Sequence, residues 1–255
     1  MPLLLLVLAA IAGLIVGSFL NVCIYRIPRR ESLNWPSSHC TACGRPLSWY
    51  ENVPVVSWLA LRGRCRTCGA RISPMYPLVE VATAIVFAGG VLVYGPAPLA
   101  AVRVAFACSL IVLFVIDLQH RILPNVITLP GIVIGFVASL FLPPGWQRSL
   151  IGILAGGGVL FALAEIYYRT RGREGLGMGD VKMLAMIGAF LGWPHMLLAL
   201  ILASFSGSAV GLAVIVSRRG GMQAALPFGT FLALGAIVAA VAGDAILAWY
   251  ISFYQ

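Results

Sequence analysis

The sequence predicts an all-α polytopic membrane protein: about eight transmembrane helices with a small cytosolic loop domain. Three observations lead there. Hydrophobic residues make up 61% of the 255-residue chain and charged residues only 10%, with a mean hydropathy of +0.99. Soluble domains run about 45–50% apolar and about 25% charged, so this chain lacks the polar surface to coat a water-facing globule. Apolar runs of the length that crosses a bilayer, about 20 residues each, recur along it between Arg, Pro and Gly boundaries. One long polar stretch interrupts them, and it carries two CxxCG turns.

Taken in order, the first span covers about residues 2–25 and the polar stretch residues 26–77. Further spans follow at about 78–94, 99–118, 126–142, 150–168, 181–193, 196–216 and 226–251. The organisation is a first helix (1–25), a loop domain (26–77) and a helix bundle (78–255). The short span at 181–193 and the run Gly156-Gly157-Gly158 suit close helix packing, because small residues let backbones approach. The first twelve residues carry no basic group ahead of the apolar stretch, so they read as a retained span and not as a signal peptide.

The net charge of +9 sets the orientation. If the first helix enters from outside, Arg26, Arg29, Arg30, Arg45, Arg62, Arg64, Arg66 and Arg71 of the polar stretch face the cytosol. The same threading puts Arg121, Arg169, Arg171, Arg173, Lys182, Arg218 and Arg219 on that side. Fifteen of the seventeen cations are then inside, with Arg103 and Arg148 outside, as the positive-inside rule requires. An even number of spans returns the C-terminus to the outer side, with the N-terminus.

Cys40-Thr41-Ala42-Cys43-Gly44 and Cys65-Arg66-Thr67-Cys68-Gly69 are two knuckles of one kind. Each lets two thiolates reach one ion from a tight turn, and the pair has the spacing of a tetrahedral four-thiolate zinc site. A loop with so little apolar content needs such a staple, so 26–77 reads as a zinc-ribbon-like domain with Cys40, Cys43, Cys65 and Cys68 as ligands. A redox dithiol is the rival chemistry. Cys23 and Cys108 lie in spans and read as small buried hydrophobes.

Eight carboxylates can be sorted by depth. Asp117 ends the third span and Asp180 opens the sixth, in Gly177-Met178-Gly179-Asp180. Opposite helix directions therefore bring both to one depth, just inside the cytosolic face. Ionisable groups at a membrane boundary are costly and are functional candidates. Two aspartates together can share a proton, the ionised one activating water while the protonated one polarises a carbonyl. Gly177 and Gly179 suit close backbone approach and free dihedrals beside Asp180. Glu80 reads as a charge at a helix N-terminus, and Glu165 as an i+4 partner of Arg169. His120 and Arg121 read as interfacial or pairing groups, Asp244 as non-catalytic in the outer half of the last span, and Glu31, Glu51 and Glu174 as solvated loop charges.

These residues resemble the type IV prepilin peptidases, bifunctional leader peptidases and N-methyltransferases of bacterial inner membranes. The matching stretches are Gly13-Leu14-Ile15-Val16-Gly17-Ser18-Phe19-Leu20-Asn21 with Tyr25-Arg26, the double CxxC, and the segment from Pro74 to Glu80. They continue with Asp117, Leu123-Pro124-Asn125, Thr128-Leu129-Pro130, Gly177 to Lys182, and Pro227-Phe228-Gly229, so nearly the whole chain is covered. Asn125 stands where many relatives have Asp. The resemblance implies that Asp117 and Asp180 are the catalytic pair of a GxGD-type aspartic membrane peptidase. It implies prepilin or pseudopilin substrates of pili or type II secretion, cut after a basic leader ending in Gly. It also implies S-adenosylmethionine-dependent methylation of the new N-terminus, for which the sequence offers no donor-binding motif.

Two other classes compete. A proton- or ion-coupled transporter would use the same Asp117 and Asp180, but it calls for charges near mid-membrane and leaves the double CxxC without a role. A membrane-tethered nucleic-acid-binding zinc ribbon would use the loop arginines with Trp35, Trp49 and Trp58. No nucleic-acid partner is expected, because topology already accounts for the arginines and aromatics gather at membrane faces.

Overall fold

The computed structural model describes residues 3–172, 177–217 and 227–253. The cytosolic positions expected for Arg173, Arg218 and Arg219, and the solvated charge expected at Glu174, lie outside the described residues. Among those residues the fold is helical, with isolated bridges and no named strand. The long helices are α1 (Leu3–Arg26), α3 (Met75–Tyr94), α4 (Pro98–His120), α5 (Asn125–Ser139), α6 (Trp146–Arg171), α7 (Met178–Leu191), α8 (Trp193–Val216) and α9 (Phe228–Ser252). A one-turn α2 (Val56–Ala60) lies in the polar loop. Each expected span thus has its helix.

The span count sharpens. Among the described residues six helices (α1, α3, α4, α6, α8 and α9) are long and apolar enough to cross a membrane, which makes this a multi-pass membrane protein. By contrast α5 has 15 residues and α7 has 14, and at 1.5 Å per residue α7 is about 21 Å long, short of the roughly 30 Å hydrocarbon core. Its burial explains how so short a helix is tolerated: from Val181 to Leu191 every residue but Lys182 is buried.

The chain divides into two compact units, Met1–Val112 and Leu113–Gln255. In the first, α1 packs along α3 through glycines. A Cβ on Gly13 would lie 2.6 Å from the Ala84 backbone, and one on Gly17 would lie 2.7 Å from the Glu80 backbone. In the second, α7 is the central element, packed by α5, α6, α8 and α9. The α6 face toward it is Ser149, Gly152 and Gly156, a small-residue stripe at helical spacing. Gly152 meets Gly188 backbone to backbone, and the Ser149 hydroxyl donates to the Ala189 carbonyl at 2.8 Å. Lipid tails are as apolar as leucine, so this close approach, and not hydrophobic burial, holds such helices together.

Candidate active site and metal site

Several chain segments of the second unit meet around Asp117, which is 4% exposed. Its Oδ2 accepts two hydrogen bonds from Thr230, one from the backbone N–H at 2.6 Å and one from the hydroxyl at 3.0 Å. Leu123 lies between two glycines. A Cβ on Gly179 would come within 2.9 Å of Leu123, and one on Gly229 within 2.9 Å of Leu123 and 3.0 Å of the Asp117 carboxylate. The segments containing Leu123-Pro124, Gly177-Met178-Gly179-Asp180 and Pro227-Phe228-Gly229 therefore converge because two of their glycines have no side chain to hold them apart.

Asp180 is the third residue of α7, and the N–H of the capping residue Gly177 donates back to its carboxylate. An acid at this position also faces the positive end of the helix dipole. The Asp117 and Asp180 carboxylates lie close enough to interact electrostatically, so the structure brings the two depth-matched aspartates together. Gly179 acts through close approach, as expected. Free dihedrals are not what Gly177 supplies, since its φ of −74° is ordinary; it leaves room beside Asp180, whose Oδ2 would lie 3.4 Å from a Cβ there. Lys182 donates to Asn125 Oδ1 at 2.9 Å and so ties α7 to the start of α5. Sequence reasoning missed Thr230, whose only signal was its position just after Pro227-Phe228-Gly229, and named Leu123 within a matching stretch without giving it a role.

In the first unit, the four sulfurs of Cys40, Cys43, Cys65 and Cys68 lie within 4.8 Å of one another. The two knuckles are near copies. The Cys40 N–H donates to the Arg45 carbonyl at 2.9 Å and the Cys65 N–H to the Ala70 carbonyl at 2.8 Å. Gly44 and Gly69 turn the chain at φ of +71° and +69°, a region where a side chain is strained. The Cys40 and Cys68 sulfurs are 3.8 Å apart, about the S···S spacing that tetrahedral Zn–S bonds of about 2.3 Å impose. Backbone N–H groups of Cys68 and Thr67 pull the Cys65 thiol down to about 6, and those of Cys43 and Ala42 lower Cys40, while the Cys65 sulfur and burial hold the Cys68 thiol up at about 11, as when neighbouring sulfurs share protons with no ion between them. Thiolates are the metal-binding form, so the donor set fits a structural metal ion.

The loop is braced by charged side chains, one of which the sequence placed wrongly. Glu51 is not a solvated charge: it is buried, paired with Arg45 at 2.7 Å, and accepts from the Ser48 N–H at 2.9 Å. Arg45 holds the Glu51 carboxyl down at about 2. Glu80 lies near the start of α3, as expected, and has a partner in the loop as well. It is buried in the first turns of α3 and accepts from the Val55 N–H at 2.7 Å. Arg26 is 5% exposed, and its guanidinium donates to the carbonyls of Ser32, Leu33 and Pro36. Glu165 pairs with Arg169 at 2.7 Å and Cys23 and Cys108 are buried, as expected; Asp244 pairs with His195 at 3.2 Å.

Comparison with known proteins places this architecture. Residues 11–94 match the Bacterial Peptidase A24 N-terminal domain, and residues 104–212 match the Type IV leader peptidase family. The chain is 37% identical over 268 residues to a protein of Pseudomonas putida named prepilin leader peptidase/N-methyltransferase, covering 94% of this chain and 92% of that one. A protein of the same name from Pseudomonas aeruginosa is 33% identical over 276 residues, with 99% and 95% covered. Another from Aeromonas hydrophila is 35% identical over 267 residues, with 94% and 91% covered. No solved structure matches. The chain belongs to the type IV leader peptidase family.

Proposed function

We propose that this chain is a membrane-embedded aspartic endopeptidase that removes the leader from type IV prepilins or pseudopilins and N-methylates the residue so exposed. Asp117 and Asp180 are its catalytic pair. The observation that carries this reading is their meeting at one end of a helix bundle, with one oxygen of Asp117 held by Thr230. The names of the relatives support both activities. The loop at 26–77 and the bundle at 78–255 divide the work, the loop holding zinc on Cys40, Cys43, Cys65 and Cys68 and the bundle cutting. Orientation by the basic residues places the aspartates and the loop at the cytosolic face of the bacterial inner membrane, with both termini outside.

Two donors on Oδ2 suit an ionised Asp117, whose Oδ1 then takes a proton from water. The water oxygen attacks the scissile carbonyl carbon while Asp180 gives its proton to the carbonyl oxygen. Collapse of the tetrahedral intermediate breaks the C–N bond; the amine leaves with the proton Asp117 had taken, and a hydroxyl of the intermediate returns its proton to Asp180 as the new carboxyl group forms. Co-expression with a prepilin, followed by mass analysis of its new N-terminus, tests the proposal. A shortened chain carrying one extra methyl group is expected; an uncut prepilin overturns it.

Thr230 is the positioning residue in this scheme. Thr230→Val keeps the backbone donor and the shape but removes the hydroxyl. It is expected to lower kcat about tenfold, the factor that about 1.4 kcal/mol represents, with KM little changed. Thr230→Ser should restore most of the rate. A parallel rise in KM, or failure of the Ser variant to recover, would mark a merely structural effect.

A further inference from the structure

We infer that the cavity between the cysteine loop and helices α1 and α3 of the first unit is the binding site for the methyl donor, a sulfonium nucleoside that also carries an amino-acid group. The inference rests on the methyltransferase half of the function proposed above. The cavity measures about 400 Å³, within the range of small-molecule sites and many times the roughly 30 Å³ of a water molecule.

Its lining matches the parts of such a ligand. Aromatic side chains of Tyr25, Trp58 and Tyr76 offer flat apolar surface for a purine and can face a cation. The buried carboxylate of Glu80 offers negative charge to a sulfonium or ammonium group. Arg66 and Arg71 offer guanidinium groups to the ligand's carboxylate. The buried Glu80 carboxylate already accepts from the Val55 N–H and hydrogen-bonds the Ser18 side chain, but both partners are neutral, and a cationic ligand centre would supply the opposite charge that apolar cofactors and uncharged nucleosides lack.

The loop is also built to keep this space open. A chain segment with so little apolar core could settle onto α1 and α3, yet polar braces hold it at several points around the cavity. Arg26 gathers the carbonyls of Ser32, Leu33 and Pro36, and Asn21 donates to the Tyr76 carbonyl at 3.0 Å. Glu80 holds Val55, whose φ of +61° is an outlier for a β-branched residue. Strain of this kind persists where the surroundings impose it, and it gathers at ligand sites. The first cysteine of each knuckle, Cys40 and Cys65, also lines the space, so the metal site forms part of its wall. That gives the staple a second consequence: it fixes the shape of the cavity as well as the loop.

The test uses the full chain in lipid nanodiscs, with equilibrium binding of labelled S-adenosylmethionine and competition by S-adenosylhomocysteine. Wild type is expected to bind one equivalent. Glu80→Gln removes the charge, and Val22→Trp fills the cavity from α1 without touching a brace. Both are expected to weaken donor binding at least tenfold and to lower the methylated fraction of cleaved prepilin. Wild-type affinity in both variants overturns the assignment. So does weakening in Glu80→Gln alone, which would mean that Glu80 acts only through the fold of the loop. A wild-type chain that cleaves prepilin and binds no donor also overturns it. A chain that binds donor in this cavity yet cuts no prepilin supports the cavity and removes the peptidase reading instead.

Discussion

Asp117→Asn and Asp180→Asn are each expected to abolish leader removal, lowering the cleavage rate by at least about 10³-fold while the protein remains inserted. The size follows from the chemistry. Asparagine matches the shape of aspartate but can neither take a proton from water nor give one to a carbonyl, and general acid–base steps are worth about 10²–10⁴ each. Asparagine also keeps the local contacts. Its amide oxygen can accept both donors of Thr230 at position 117, and the Gly177 N–H at position 180, so the convergence of segments on Leu123 is not disturbed. Because the two aspartates act as one unit, the double variant should be no slower than either single one. Mass analysis of a co-expressed prepilin, with the variant's membrane content measured alongside, reads the result. Cleavage at more than a tenth of the wild-type rate in either variant removes that aspartate from the mechanism. A transporter built on these residues would lose ion flux and leave cleavage untouched, so the same variants separate the two classes.

What could be read from the sequence divides by physical cause. Helix positions were legible because hydrophobicity is a local, additive property, and each expected span has its helix. The membrane-crossing number was less legible, because composition cannot tell a span from a short helix sheltered by others. Two segments of similar apolarity, α7 and α8, differ in that α7 is wrapped by neighbours and α8 is not. Asp117 and Asp180 were legible through depth, since helix direction fixes which ends share a membrane face. Thr230 was not, because its partner lies 113 residues away and no periodicity links them. The burial of Glu51, and the loop partners of Glu80 and Arg26, were hidden for a related reason. Each side chain satisfies its charge on backbone groups of an irregular loop, or on one nearby arginine, and chain geometry there follows no sequence period. The cysteines were the opposite case, for the CxxCG turn is local and the structure repeats it twice with nearly the same hydrogen bonds.

Removing the metal is expected to unfold the loop and leave the membrane helices in place. Among the described residues from Ile27 to Pro74, only Glu51, Gly63 and Cys65 are buried, so burial contributes little to holding this segment folded. A structural zinc ion binds its thiolates with about 10–16 kcal/mol, which is as large as the entire stability of a typical domain, about 5–15 kcal/mol. Cys65→Ser, at the most buried of the four ligands, should reduce bound zinc from about one per chain to near zero. Limited proteolysis should then cut within residues 26–77 at a rate at least about tenfold above wild type, with α3 to α9 still protected in the membrane. Elemental analysis and peptide mapping report the two effects separately. The Arg45–Glu51 pair and the Glu80–Val55 hydrogen bond remain in this variant, so it also asks whether those braces can hold the loop unaided. Hydrogen bonds to a charged group are worth about 1.5–3 kcal/mol each, for the largely buried Arg45–Glu51 pair as for the Glu80–Val55 bond. Neither approaches what the metal supplies. A loop that stays resistant to protease without zinc would mean that the braces, and not the ion, carry the fold of this segment.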